Sequence, residues 1–294
     1  MWHEYQSTKI NTLHIVIVFV LYTIEKNDYL SHKYEHSMEK APLQTNKERW
    51  IDHMYQLILK TLLKKDRIFA KLSKEEQNAK MNLMSIAYSL AKAFHRWQIR
   101  LDGKRYFEHI KSVTHILIEE FPSITFNQVI AAYLHDIVED THITLKTIEN
   151  IFWPDIAHIV DAVTKKPDEY YLWPDERSYY SQLWKEDKKE YLKEKRDAIK
   201  ARRTEHYFWH MRELSAETLQ VKFADRIHNL RDLAHCKVSK IKDQIIETQA
   251  YLLPIAKEKN PTAYELMKKE LEKLHKQVYG NTDKFKQYVK DALM

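Results

Sequence analysis

An all-helical fold is what this sequence predicts, on three observations. Only two glycines, Gly103 and Gly280, occur in 294 residues, against a usual frequency of about 7%. Tight hairpins want glycine at positive φ, so antiparallel sheets are disfavoured. Apolar residues recur every three or four positions over long stretches, and helix-opening side-chain patterns stand ahead of several of them. The same shortage of glycine removes Walker loops and dinucleotide-binding fingerprints from consideration.

The elements follow in order. Over 47–64, Trp50, Ile51, Met54, Leu57, Ile58 and Leu62 fall at helical spacing. Ser73 with Glu76 forms a capping box before Met81, Met84, Ala87, Leu90, Ala91 and Phe94. Tyr106 opens a segment carrying His109. Thr125 with Gln128 makes a second box, ahead of an apolar run over 129–138. Thr144 is placed to cap a short helix ending near Trp153-Pro154. Asp155 is placed to cap the next, whose inner face is Ile156, Ile159, Val160 and Val163. Pro167 and Pro174 among several tyrosines predict a loop over 166–180. The charged stretch 185–203 reads as an exposed helix or a mobile insertion. A strong helix is expected over 216–234. Ser239 and Asn260-Pro261 start two more, Gly280 is a C-cap, and 282–294 reads as a short final helix. The expected domains are an N-terminal extension (1–72), one helical domain (73–256) with an insertion over 167–213, and a C-terminal helical segment (257–294).

The charge balance narrows the partners. Lys and Arg total 48 against 42 Asp and Glu, a net +6. That suits an anionic ligand but is too small and too interspersed with acids to imply nucleic-acid binding. Cys236 stands alone and forms no internal disulfide, so a reducing cytoplasm is expected. The apolar run 13–22 lies in a stretch of about 15 residues, where a spanning helix needs about 20. It reads as a buried core strand or helix, with a membrane anchor and a poorly ordered or wrongly assigned start as the alternatives.

The chemistry concentrates at His135-Asp136-Ile137-Val138-Glu139-Asp140. On a continuous helix His135 and Glu139 are four apart, as are Asp136 and Asp140, so one face presents an imidazole and three carboxylates. Neighbouring acids oppose one another's ionisation, and a divalent cation removes that cost. Mixed His and carboxylate donors suit Mn, Fe or Zn. Asp225 and Asn229 are four apart on a helix whose other side is Leu219, Phe223, Ile227 and Leu230. Asp225 is either a distant ligand or a surface carboxylate paired to a base such as Lys222. A single histidine such as His109 is more often structural than ligating.

Four ordered blocks carry a family resemblance: His95-x-x-Gln98-x-Arg100-x-x-Gly103-x-x-Tyr106-x-x-His109; Ala131-Ala132-x-Leu134-His135-Asp136-x-Val138-Glu139-Asp140-Thr141; Val163-Thr164-Lys165; and Val221-Lys222-x-Ala224-Asp225-Arg226-x-His228-Asn229-Leu230-Arg231. Together they resemble the hydrolase domain of RelA/SpoT-type HD enzymes, over somewhat more than half of the chain. The resemblance implies an all-helical HD bundle binding one Mn²⁺ through His109, His135, Asp136 and Asp225. It gives Glu139 and Asp140 as the catalytic acids. Arg100 and Asn229 are implied to hold the nucleotide, with Thr164, Lys165 and Arg231 lining the same pocket. The implied reaction removes the 3′-pyrophosphate of (p)ppGpp to give GDP or GTP, in a stand-alone small alarmone hydrolase of the stringent response.

Departures from the family pattern are Trp97, Arg105, Ile110, Asp232 and above all Leu101, which replaces a basic residue near the base. Arg202, Arg203, His206, Tyr207 and Phe208 in the insertion either reach the phosphates or pack the insertion down. Two other readings stand beside the first: an HD phosphohydrolase acting on NADPH or a dNTP, and a nucleotide-binding regulator without turnover.

Overall fold

The computed structural model describes residues 44–100, 103–233 and 236–280. The run 13–22, Leu101 and the expected final helix over 282–294 lie outside them. Among the described residues every extended regular element is a helix, and the one bridge pairs Ile99 with Arg105. The chain divides into two compact units, residues 1–161 and 162–294.

In the first unit the sequence periods are realised closely. Helix α1 spans Gln44–Lys65 and α2 Lys74–Phe94. Helix α3 spans Tyr106–Glu120 and α4 Phe126–Leu134. Both capping boxes form as expected, on Ser73 with Glu76 and on Thr125 with Gln128. Helices α2, α3 and α4 pack together and bury Met81, Ala87, Ile110, Val113, Leu117, Val129, Ile130 and Tyr133. Two polar side chains of the α1 end tie the layers. Asp66 is buried, and its carboxylate accepts from the backbone N–H groups of Ile68, Phe69 and Phe126. Lys65 donates to the Ile118 and Phe121 carbonyls, satisfying the C-terminal end of α3 where a cation is favoured.

Two short helices follow, α5 over Ile137–Asp140 and α6 over Leu145–Phe152, the second capped by Thr144 as expected. Helix α7, Pro154–Val163, starts one residue before Asp155. Asp155 therefore lies in the first turn rather than at the cap, because proline is suited to the first helical position.

In the second unit the stretch 166–180 is not a loop. A 3₁₀ turn covers Asp168–Tyr171, and α8 covers Pro174–Gln182. Pro174 takes the N1 position, and Glu176 reaches back to accept from the Trp173 N–H. Pro174 thus initiates a helix where the sequence reading took it for a breaker. Helices α9, Lys185–Glu194, and α10, Arg196–Glu213, complete the insertion. Its small core is Tyr171, Leu172 and Ile199, with Tyr180, Tyr191 and Leu192 against them. Arg202 pairs with Glu176 and donates to the Tyr171 carbonyl, and Arg203 pairs with Asp168. His206 packs on Tyr170 and Tyr171, and Phe208 stacks on Tyr251 at 4.4 Å. Of the two roles considered for these side chains, these contacts are those of packing.

Helix α11 spans Ala216–Asp232, and α12, Val238–Glu247, begins with Lys237 rather than Ser239 at its cap. A π turn, Thr248–Leu252, leads into α13, Leu253–Lys259. Asn260 then caps α14, Pro261–Tyr279, and Gly280 closes it at φ +66°, as the sequence indicated. Helices α11, α12 and α13 all pack on α14. Among the described residues, no helix is long and apolar enough to cross a membrane.

Candidate metal centre

The centre is built where α4 ends. The helix stops at Leu134, and His135 and Asp136 form a junction before the short α5. The single helix expected through Asp140 is therefore broken. Asp136 sits at φ −103°, ψ −2°, and one α-type bond survives, from the Asp140 N–H to the Asp136 carbonyl at 2.9 Å. The break turns Glu139 and Asp140 outward, so both are exposed, whereas His135 is buried.

The geometry fixes the state of His135. Its Nδ1 lies 2.8 Å from the Ala132 carbonyl. A carbonyl only accepts, so Nδ1 carries a proton and Nε2 is the nitrogen left to face a metal or a second proton. That Nε2 is 3.0 Å from Asp136 Oδ2, and His109 Nε2 on α3 is 3.5 Å from the same oxygen. Ring nitrogens of the two buried histidines lie within 4.8 Å of each other. The site thus gathers lone pairs from two imidazoles and a carboxylate, which repel unless a proton or a cation stands among them. Two imidazoles and a carboxylate suit a divalent metal, with the hydrogen bond from Nδ1–H to the Ala132 carbonyl fixing the His135 ring so that Nε2 faces the site.

Tyr106 holds the carboxylate. Its hydroxyl donates to Asp136 Oδ2 at 2.7 Å, and its ring lies 5.5 Å from that of His109. Burial opposes ionisation of Asp136, but His135 and His109, with protons standing between their rings and the carboxylate in place of a cation, more than offset it and hold the carboxyl well below its ordinary range. Asp140 moves the other way. Desolvation, then the charges of Asp136 and Glu139, raise its carboxyl despite a hydrogen bond with Tyr106.

The remaining sequence-chosen residues fall as follows. Arg100 sits in the turn before α3, its N–H bonded to the Lys104 carbonyl and its guanidinium 5.7 Å from the centre of the Tyr106 ring. In the second unit, Asp225 is buried on α11. It accepts from Lys222 Nζ at 2.8 Å and from Asn229 Nδ2 at 2.6 Å. The pairing with Lys222 weighed from sequence is present, yet both partners are buried rather than on the surface. Thr164 is buried and Lys165 exposed, just after α7, and Arg231 pairs with Glu270 on α14. Sequence reasoning gave no role to Tyr106, Gln98 or His95, although all three stand inside the first motif block.

The HD domain family model matches residues 87–259, more than half of the chain. The chain belongs to the HD-domain family. HD domains are metal-dependent phosphohydrolases, and the His109–His135–Asp136 cluster provides donors for the divalent ion that such a domain implies. Curated relatives of this HD-domain chain include a guanosine-3′,5′-bis(diphosphate) 3′-pyrophosphohydrolase of Spiroplasma citri, 30% identical over 56% of this chain and 18% of that protein. A bifunctional (p)ppGpp synthase/hydrolase, SpoT, of Escherichia coli is 29% identical over 58% of this chain and 21% of its own length. A putative chloroplastic GTP diphosphokinase of rice is 32% identical over 62% of this chain and 18% of the relative. The chain thus spans about a fifth of the length of these relatives. A solved structure of a metazoan SpoT ortholog, described as hydrolysing ppGpp, covers 66% of this chain and 94% of its own at 22% identity and a TM-score of 0.48.

Proposed function

We propose that this HD-domain chain hydrolyses (p)ppGpp, removing the 3′-pyrophosphate and leaving GDP or GTP. The observation that carries the reading is the convergence of His109 Nε2 and His135 Nε2 on Asp136 Oδ2, in a domain whose curated relatives include named 3′-pyrophosphohydrolases. Asp225 is the fourth ligand in this reading, supported by the order of motifs within the matched region, and the ion is a single Mn²⁺. When bound, the ion supplies Lewis acidity that polarises a phosphoryl oxygen and acidifies water.

The side chains then divide the work. Tyr106 keeps Asp136 oriented. Glu139 and Asp140 stand exposed beside the cluster, where a carboxylate takes the proton of the attacking water and returns one to the leaving oxygen. The raised carboxyl of Asp140 suits the acid half of that exchange. Arg100, Asn229, Thr164, Lys165 and Arg231 bind the nucleotide and its phosphates. The working domain is 73–256, with 167–213 inserted, 1–72 before it and 257–294 after it, acting in the cytoplasm.

The test is a nucleotide panel with Mn²⁺ in which pyrophosphate and phosphate are followed separately. Pyrophosphate from ppGpp is the expected result. Phosphate from NADPH, or binding without any product, overturns the assignment. Asp136→Ala is expected to lose the metal, whereas Glu139→Ala keeps it and loses turnover. Full activity in Glu139→Ala refutes the acid–base role.

A further inference from the structure

The acidic turn that carries Glu139 and Asp140 depends on bonds from outside its own helix, the hydrogen bond between Tyr106 and Asp140 among them. Helix α5 is only four residues long, too short for local propensity to stabilise it. Its far end is tied instead to the turn before α3. Gln98 Nε2 lies 2.8 Å from the Asp140 backbone carbonyl, 42 residues away in sequence.

The direction of every bond in this tie follows from elementary donor rules. The Asp140 carbonyl only accepts, so the nitrogen end of the Gln98 amide faces it. Gln98 Oε1 therefore faces His95 Nδ1, at 2.7 Å. That oxygen also only accepts, so Nδ1 carries the proton of the His95 ring. Reversing the amide would set oxygen against oxygen and N–H against N–H. His95 is fully buried and stacked on Tyr106, with ring centres 5.1 Å apart and planes 17° apart. Tyr106 in turn donates to Asp136. The chain of contacts leads from the metal-cluster carboxylate to the exposed acid.

The His95 ring meets Gln98 through Nδ1. Its Nε2 is buried and has no hydrogen-bond partner among the described residues. What the imidazole supplies is the Nδ1–H that orients Gln98.

We propose that Gln98, locked in one orientation by His95, is a positioning residue that clasps the Asp140 end of the acidic turn. The proposal rests on the role given above to Glu139 and Asp140. A shift of about 1 Å in such a group is enough to cost about 100-fold in rate.

Three variants test it. Gln98→Met keeps the shape and removes both hydrogen bonds. His95→Asn keeps a donor where Nδ1 stands, and His95→Gln moves it to the Nε2 position. In Gln98→Met, kcat is expected to fall about 10- to 100-fold, with KM and Mn²⁺ affinity unchanged and faster amide exchange over 137–142. His95→Asn is expected to retain most of the rate, and His95→Gln to behave like Gln98→Met. Unchanged kcat and exchange in Gln98→Met, or equal loss in the two His95 variants, overturns the clasp. A wild-type chain that releases no pyrophosphate from ppGpp refutes the proposed reaction instead, and amide exchange in Gln98→Met still decides the clasp.

Discussion

Replacing Lys222 by methionine isolates one buried charge and asks what that charge is for. Lys222 and Asp225 are both buried, with side chains 7% exposed and 2.8 Å between Nζ and Oδ2. Burial disfavours the ammonium, yet Asp225 and Tyr207 beside it more than offset this and hold Lys222 above the ordinary lysine pKa. Removing one partner of such a pair leaves an uncompensated buried charge, which costs about 3–5 kcal/mol. Asn229 still donates to Asp225 at 2.6 Å, so the lower end, about 3 kcal/mol, is expected. At about 2–4 °C per kcal/mol for a domain of this size, Tm falls by about 6–12 °C. Neutralising the orphan with Asp225→Asn in the same chain is expected to recover most of that loss. If Asp225 also binds the metal, Mn²⁺ raises the Tm of Lys222→Met more than that of the wild type, because the cation replaces the missing ammonium. Thermal melts of the wild type, the single variant and the double variant, with and without Mn²⁺, read all three outcomes. A Tm for Lys222→Met within about 2 °C of wild type, or a double variant no better than the single, refutes the argument.

Two further outcomes follow from the same geometry. Tyr106→Phe keeps the ring against His95 and His109 but deletes the donor to Asp136. It is expected to weaken Mn²⁺ binding by about 10- to 100-fold, measured by calorimetry with the metal alone; unchanged affinity would show that Asp136 does not ligate through the held oxygen. His275 on α14 is buried, and its pKa is lowered from 6.5 to about 4 by desolvation. Above pH 6.5 the ring is neutral in both folded and unfolded chains. As pH falls toward 4 the unfolded chain takes up a proton that folded His275 refuses, so stability is lost across that window. At about 1.4 kcal/mol per pKa unit this amounts to about 3 kcal/mol. Urea unfolding at both ends of the window is expected to show that loss in the wild type and its absence in His275→Leu. Identical slopes refute it.

The helical class and most helix starts were legible in the chain itself. Ser73, Thr125, Thr144 and Asn260 cap where their spacing said they would, because capping is a local bond between a side chain and a backbone N–H two or three residues on. The apolar spacing of Met81, Ala87 and Val129 likewise settled which faces turn inward. His109, His135 and Asp136 were also chosen from sequence, and they do come together. Tertiary structure alone decided how they meet. The break after Leu134 gives His135 and Asp136 their own directions and sends Glu139 and Asp140 outward, and no local signal marks that break. Pro174 was misread for a similar reason, since proline both ends and begins helices and only the surrounding packing says which. The bonds from Tyr106 to Asp136, from Gln98 to the Asp140 carbonyl and from Lys222 to Asp225 depend on which atoms lie within 3 Å. Composition and periodicity determine elements because those are set by neighbours along the chain. The state of a buried carboxylate is set by neighbours in space.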